Sequence, residues 1–310
     1  MARKTHKKQH FIPKSYLAGW CDPKTPVKMK PYVWTFPREG GPGVKKAPSN
    51  VFTETDMYTV TMPDGRRDLR LEHGLSQLES GINQLRVQYI ERRRQIPTPR
   101  FIKFIAFIAA MHGRTRRFRD HQRQQWQKIV DVGDDLQRSM KTKTPEERRR
   151  IANMSPPTSG GSMSLEEVKK LAKYPIQTLM PAVLSAEVPI LSQMTMTVYC
   201  TGRTPGFITS DNPVVWFDPE AIDRPPMFRA PGLLDKGIEI TLPISPGHLV
   251  VIRHDKPLSR GIKPIVYQDA WDATVEAINL RTAIHADETV VACSDSYKGL
   301  PNSVSALKAP

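Results

Sequence analysis

TPRFIKFIAFIAAMHGRTRRFRDHQRQQWQKIV, residues 98–130, decides the fold class of this chain. Thr98 followed by Pro99 has the form of an N-cap with proline at the first helical position, where no backbone N–H is needed. Phe101, Phe104, Ile105, Ile108 and Met111 then recur at spacings of three and four, and Trp126, Ile129 and Val130 continue the stripe. That period predicts a long helix with one buried face. Gly113 within it allows a close packing or a kink. Upstream, Leu71, Leu75, Leu78, Ile82 and Leu85 predict another helix over 68–95. Before it, VFTETDMYTVTM (51–62) alternates apolar and polar residues and closes on Pro63-Asp64-Gly65, the pattern of a strand or half a hairpin.

Downstream the pattern changes. Residues 141–163, KTKTPEERRRIANMSPPTSGGSM, hold at most a short helix and then a Pro/Ser/Gly linker, the best boundary in the chain. Ser164 with Glu167 forms a capping box, so a helix starts there, with interruptions expected at Pro175 and Pro181. TMTVYCT, GFITSDNPVVWF, GIEITLPIS and HLVVIRH read as short strands, followed by a helix near 269–285 and a strand at 289–293. The expected class is α+β: an arginine-rich long-helix lobe (1–163) with an N-terminal arm and short strands, packed on an α+β lobe (164–310) with a small, largely antiparallel sheet. One integrated domain remains an alternative.

Charge follows the same division. Of the 46 Lys and Arg and 31 Asp and Glu, residues 1–163 carry 32 and 15, whereas 164–310 carry 14 and 16. A basic excess confined to one half is the footprint of a polyanion-binding surface, because each Lys or Arg set on a phosphate releases counterions. Arginine dominates the clusters at 92–94, 114–123 and 148–150, and its planar fork suits phosphate. The clusters lack a neighbouring apolar face for lipid, so nucleic acid is favoured over a membrane. A solvated helix face is the plain alternative for any one cluster.

Other classes are excluded by what the sequence lacks. No apolar run reaches the length of a membrane span, and the basic start at Met1–Lys8 has no apolar segment or cleavage site after it, so a cytoplasmic location is expected. Cys21, Cys200 and Cys293 are odd in number and far apart, against a disulfide framework or a thiolate zinc site. There is no HExxH, and His112 and His121, nine apart, do not share one helix face closely enough to chelate. Phosphate-loop, dinucleotide, nucleophile-elbow and deaminase signatures are also missing. No metal and no cofactor are expected.

Four places can carry chemistry. His10 in QHFIPKSYL lies among Lys7, Lys8 and Lys14, where imidazole can act as acid or base beside phosphate-binding charge, or else serve as a structural ring. Glu54 and Asp56 in TETDMYT are two apart, hence on one strand face, where paired carboxylates raise one pKa or hold a divalent cation. Tyr58 on that face stacks on a base or packs. In ITSDNPVVWF, Pro213 forces Asn212 out of the α region, presenting Asp211 and Asn212 at a strand end. Asp211 can activate water and Asn212 can read a base edge; the alternative is an Asx turn in which both bond backbone. Trp20, Trp34, Tyr58 and Trp216 are the candidates for stacking.

QHFIPKSYL, SNVFTETDMYT, RFIKFIAFIAAMHGRTRRF, ITSDNPVV and EITLPISP together resemble the bacterial family catalogued as domain of unknown function 4238, over most of residues 9–290. The resemblance implies a link to anti-phage defence and base-excising DNA glycosylase activity on modified phage DNA. It also brings forward His10, Tyr16, Glu54, Asp56, Tyr58, Arg114, Asp211 and Asn212 as site residues. Cleaving a C1′–N bond passes through an oxocarbenium-like sugar, which a carboxylate stabilises. The resulting expectation is an N-glycosylase that flips a modified base, such as a glucosylated hydroxymethylated one, out of double-stranded DNA to leave an abasic site. Asp211, Glu54, Asp56 or His10 would be catalytic, while Asn212, Tyr16 and Tyr58 would bind the base. Arg114, Arg116, Arg117, Arg119 and Lys14 would hold phosphate. The rival readings are a nuclease, metal-dependent or metal-free, and a nonenzymatic nucleic-acid sensor.

Overall fold

The computed structural model describes residues 7–26, 28–154, 163–225, 230–254 and 261–297. Most of the expected N-terminal arm and residues 155–162 of the expected linker lie outside the described residues. The fold is α+β. Short elements come first: β1 (Lys8–His10), α1 (Lys14–Leu17), β2 (Val33–Pro37), β3 (Val44–Lys46) and β4 (Thr53–Thr55). β5 (Val60–Thr61) and β6 (Arg67–Asp68) pair antiparallel around Pro63-Asp64-Gly65, and Gly65 supplies the positive φ of the turn. Helices follow as α2 (Arg70–Glu79), α3 (Ile82–Leu85), α4 (Thr98–Gly113), α5 (Arg116–Thr142), α6 (Pro145–Met154), α7 (Leu165–Lys173) and α8 (Pro175–Leu191). The remainder runs β7 (Thr195–Cys200), β8 (Thr209–Ser210), β9 (Val215–Phe217), β10 (Glu239–Ser245), β11 (His248–Arg253), β12 (Val266–Asp269), α9 (Asp272–His285) and β13 (Thr289–Ala292).

Besides the two-stranded pairs β1–β4 and β5–β6, two larger sheets organise these strands. One has the order β12-β7-β11-β10-β9, antiparallel except for the parallel β7–β12 pair. The other, β3-β2-β13-β8, is antiparallel and joins strands from both halves of the chain. The largest apolar cluster likewise runs from Phe11 to Cys293, so charge divides the chain where packing does not. Polar ties reinforce this. Tyr16 Oη lies 2.7 Å from Thr209 Oγ1 and donates to the Pro243 carbonyl, while Trp20 Nε1 donates to Phe207 O. No helix among the described residues is long and apolar enough to cross a membrane.

Three helices depart from the pattern expected. The helix predicted over 68–95 breaks at Ser80–Gly81, where Gly81 takes φ +88° and starts α3 in a new direction. The interruption expected at Pro175 is present, with α7 ending at Lys173 and α8 opening on Pro175, but the one expected at Pro181 is not, since α8 continues through Pro181 and Pro189. Each internal proline removes a helical hydrogen bond, and burial of Ile176, Met180 and Leu191 offsets the loss. The third departure matters most: the long helix predicted from Thr98 stops at Gly113 and restarts at Arg116. Thr115 caps the new helix, its Oγ1 accepting from Phe118 N at 3.2 Å. Close approach of α8 also acts here, since a Cβ on Gly113 would lie 3.2 Å from Val183.

Arg114 occupies the break and points inward. Its guanidinium is 2% exposed and donates to Glu79 Oε1 at 2.7 Å, to the His10 carbonyl at 2.7 Å and to Tyr58 Oη at 3.1 Å. Tyr58 Oη in turn donates to Arg114 O. Gln9 completes the arrangement, accepting from Tyr58 N and donating to Thr59 Oγ1. These bonds knit the N-terminal motif, the 54–59 segment and the α4–α5 corner together. Arg114→Met leaves Glu79 and the His10 carbonyl without their donor and is expected to cost about 3 kcal/mol in urea unfolding. Unaltered stability in that variant would contradict this role.

Candidate functional site

The α4–α5 corner opens one wall of a cleft of about 780 Å³. The first turns of α5 supply Arg116, Arg117, Asp120, His121 and Gln124, and His112 closes the end of α4. Asn212, Val214 and Trp216 also line it, as do His285 at the end of α9 and Asp287 and Glu288 in the turn before β13. His112 and His121 thus line one cleft because the chain turns between them, which a continuous helix would not allow. A side pocket of about 150 Å³ shares Arg116, Asp211 and Glu288 with the cleft and adds Thr35, Lys46, Asn50 and Thr53.

Asp211 builds this cleft from beneath. Its Oδ1 accepts from Asp287 N at 2.8 Å, and its Oδ2 accepts from Glu288 N at 2.8 Å and Thr289 N at 2.9 Å. Its own N–H donates to Thr289 O. Asn212 Nδ2 donates to the His285 carbonyl, and Asn212 N bonds Ser210 Oγ. The SDNP segment is therefore a clamp on the 285–289 turn and not the local Asx turn of the alternative, since the Asp211 and Asn212 side chains both bond backbone far away in sequence. Asp211 is 5% exposed, and burial pushes its carboxyl up to about 6 against the three N–H donors that pull it down.

The other expected residues fall into place around it. Glu54 binds Arg116 at 2.8 Å and also Arg119, whereas Asp56 pairs with Arg67. The two carboxylates do not share a strand face as expected, because β4 ends at Thr55 and Asp56 adopts φ +56°. Tyr16 and Tyr58 are 2% and 1% exposed, which removes both from any stacking surface. His10 is kept below the usual histidine range by burial and then by Lys14, and its buried Nε2 has no partner among the described residues. It does not line the cleft. Arg114, expected on phosphate, is the buried core arginine described above. Arg119 is turned to Glu54 and Asp120, and Lys14 is exposed on α1. Arg116 and Arg117 are the expected phosphate-holding residues that line the cleft.

Sequence reasoning passed over three groups. Asp287 is half-buried, its carboxylate makes no hydrogen bond among the described residues, and burial raises its pKa with Arg117 opposing. His112 Nδ1 lies 2.9 Å from Glu187 Oε1, and its ring stacks on Trp216 at 4.2 Å between centroids. His285 is pushed down to about 4 by burial, so it is neutral at pH 7, and its Nδ1 donates to Arg281 O. Nothing local in the sequence marks Asp287 or Glu187. The four candidate aromatics do separate: Trp20 and Tyr58 are buried, Trp34 donates to Asp22, and Trp216 reaches the cleft. Among the described residues no three His, Cys, Asp or Glu gather as a metal site.

Fold and cleft define an α+β protein with an open, arginine-edged groove of mixed polar and apolar lining between a helix start and a clamped turn. The chain belongs to the family described as "Protein of unknown function (DUF4238)", whose model matches residues 8–296. No curated protein and no solved structure matches it significantly.

A raised carboxyl in the folded state favours the protonated form on folding. Its stabilisation is present below the unfolded value of about 4 and is lost as pH rises through about 6. The stability of the protein relative to Asp211→Asn should therefore fall by up to about 3 kcal/mol between pH 4 and 7, read by urea unfolding. A difference independent of pH would contradict the burial of this carboxyl.

Proposed function

We propose that this protein is a cytoplasmic DNA N-glycosylase that extrudes a modified base from double-stranded phage DNA and excises it as an anti-phage defence. The observation that carries the reading is Asp287. Its carboxylate is half-buried, has its pKa raised by burial and has no hydrogen-bond partner among the described residues, and it lines one cleft with Arg116, Arg117 and Trp216. Those are the groups that base excision needs. Arginines hold the phosphates flanking an extruded nucleotide, an aromatic face offers stacking, and a carboxylate faces the developing oxocarbenium and orients water.

In this reading the C1′–N bond breaks with its electron pair going to the base nitrogen. Water adds to C1′, and Asp287 takes the proton that the water loses. Unstacking the base costs a few kcal/mol, which phosphate contacts offset. The side pocket, with Lys46, Asn50, Thr35 and Thr53, gives room and polar partners for a substituent on the base. Asp211 keeps Asp287 in place through its backbone N–H, so the expected catalytic carboxylate becomes the support of the one proposed here.

The test incubates the protein with unmodified duplex, hypermodified phage DNA and RNA, with and without EDTA. Alkali-labile sites without direct breaks, on modified DNA above all, are the expected product. Direct strand cleavage would instead favour a nuclease, and salt-sensitive binding without any product would favour a sensor. Asp287→Asn should lower turnover at least about 100-fold while keeping duplex affinity within a few fold. Undiminished turnover in that variant removes Asp287 from the chemistry.

A further inference from the structure

We infer that His112 is the proton-transfer residue of the cleft, held in place by Glu187 as its positioning residue. The inference rests on the glycosidic reading above and adds the acid that it lacks. His112 is the last-turn histidine of α4 and lines the cleft. Its Nδ1 is tied to Glu187 Oε1 on α8 at 2.9 Å, with the two side chains 26% and 10% exposed. The ring is also fixed in plane, stacked on Trp216 with 23° between planes and edge-on to Phe118 at 6.0 Å. A ring restrained by a carboxylate and two aromatics has one nitrogen, Nε2, left for the cleft.

A second observation separates this pair from an ordinary structural ion pair. Glu187 Oε2 is buried and has no partner among the described residues. A buried carboxylate oxygen without a donor costs roughly 1–3 kcal/mol, so the fold bears a penalty to keep a carboxylate behind this histidine. Glutamine at 187 would have supplied an acceptor for Nδ1 without a buried charge. A carboxylate behind a histidine fixes the Nδ1–H tautomer and supports an imidazolium, the arrangement that lets the far nitrogen exchange a proton with substrate.

The proton balance then closes. Imidazolium Nε2 gives its proton to the base nitrogen as the C1′–N bond breaks, and the departing base leaves neutral. Asp287 takes the proton released by the attacking water. Bulk water afterwards reprotonates His112 and deprotonates Asp287, so the net reaction is hydrolysis alone. The two groups come from different elements, α4 and the α9–β13 turn, and both line the cleft.

The experiment uses the full chain and two readouts. In base-release kinetics, His112→Gln should lower kcat at least about 100-fold with KM within about threefold. Glu187→Gln should lower kcat about 10-fold and move the alkaline limb of the pH–rate profile to lower pH, which a packing defect alone would not do. In 15N-histidine spectra of the unaltered protein, a duplex carrying an abasic-site analogue should shift His112 Nε2 and leave the Nδ1 proton in place. Wild-type turnover in His112→Gln, or an unmoved limb in Glu187→Gln, overturns the inference. If the protein releases no base from any duplex, the glycosidic reading fails separately and the spectra decide. A shifted Nε2 then still supports His112 as the proton-exchanging group of the cleft, and an unshifted one overturns it.

Discussion

Three backbone N–H groups converge on one buried carboxylate, and the cleft depends on that convergence. Asp211 holds Asp287, Glu288 and Thr289 by their amides, while Asn212 holds the carbonyl of His285. A turn of five residues with this many fixed backbone groups has little freedom, so the side chains it carries are aimed before any ligand arrives. The same strand end joins β8 to β13, which ties the turn into the sheet that also holds β2 and β3.

The opposite wall rests on a comparable device of opposite sign. Arg114 is a buried cation surrounded by Glu79, Tyr58 and the His10 carbonyl, and it sits where the helical run has to bend. Without that bend, α5 would continue the axis of α4, and Arg116, Arg117 and His121 would not line the cleft with His112. A buried arginine of this kind contributes little net stability but fixes geometry, because leaving its partners unpaired is so costly. Two internal charges thus set the two walls, and in the proposed reading the chemistry is left to other side chains of the cleft.

Much of the architecture could be read from the sequence. The capping box at Ser164 and Glu167 is present with both of its bonds, the turn at 63–65 joins two paired strands, and the segments read as strands after residue 194 form strands. Those features carry local signals. The break at Arg114–Thr115 is marked only by Gly113, which allows a kink without requiring one, since a threonine N-cap inside a run of arginines looks like any other polar helix residue. The site was harder still. Polar residue types in QHFIP, TETD and SDNP mark positions that matter, but sequence cannot say whether their partners are backbone or substrate. In Gln9, Asp56 and Asp211 the partners are other groups of the fold. Asp287 and Glu187 lie in segments with no distinguishing pattern, and only the fold brings them to the cleft.

The basic half of the chain takes on a narrower meaning in this setting. Arginine clusters at 92–94 and 148–150 lie on other elements, and Arg116 and Arg117 are the members of the clusters that edge the cleft. In the proposed reading, grip and chemistry therefore meet in the cleft that the start of α5 edges. The most direct test of that claim is the structure of the protein bound to a duplex carrying an abasic-site analogue. The account predicts the analogue sugar in the cleft, with C1′ roughly 3–3.5 Å from the Asp287 carboxylate and flanking phosphate on Arg116 or Arg117. DNA seated on another face, with the cleft empty, would contradict it.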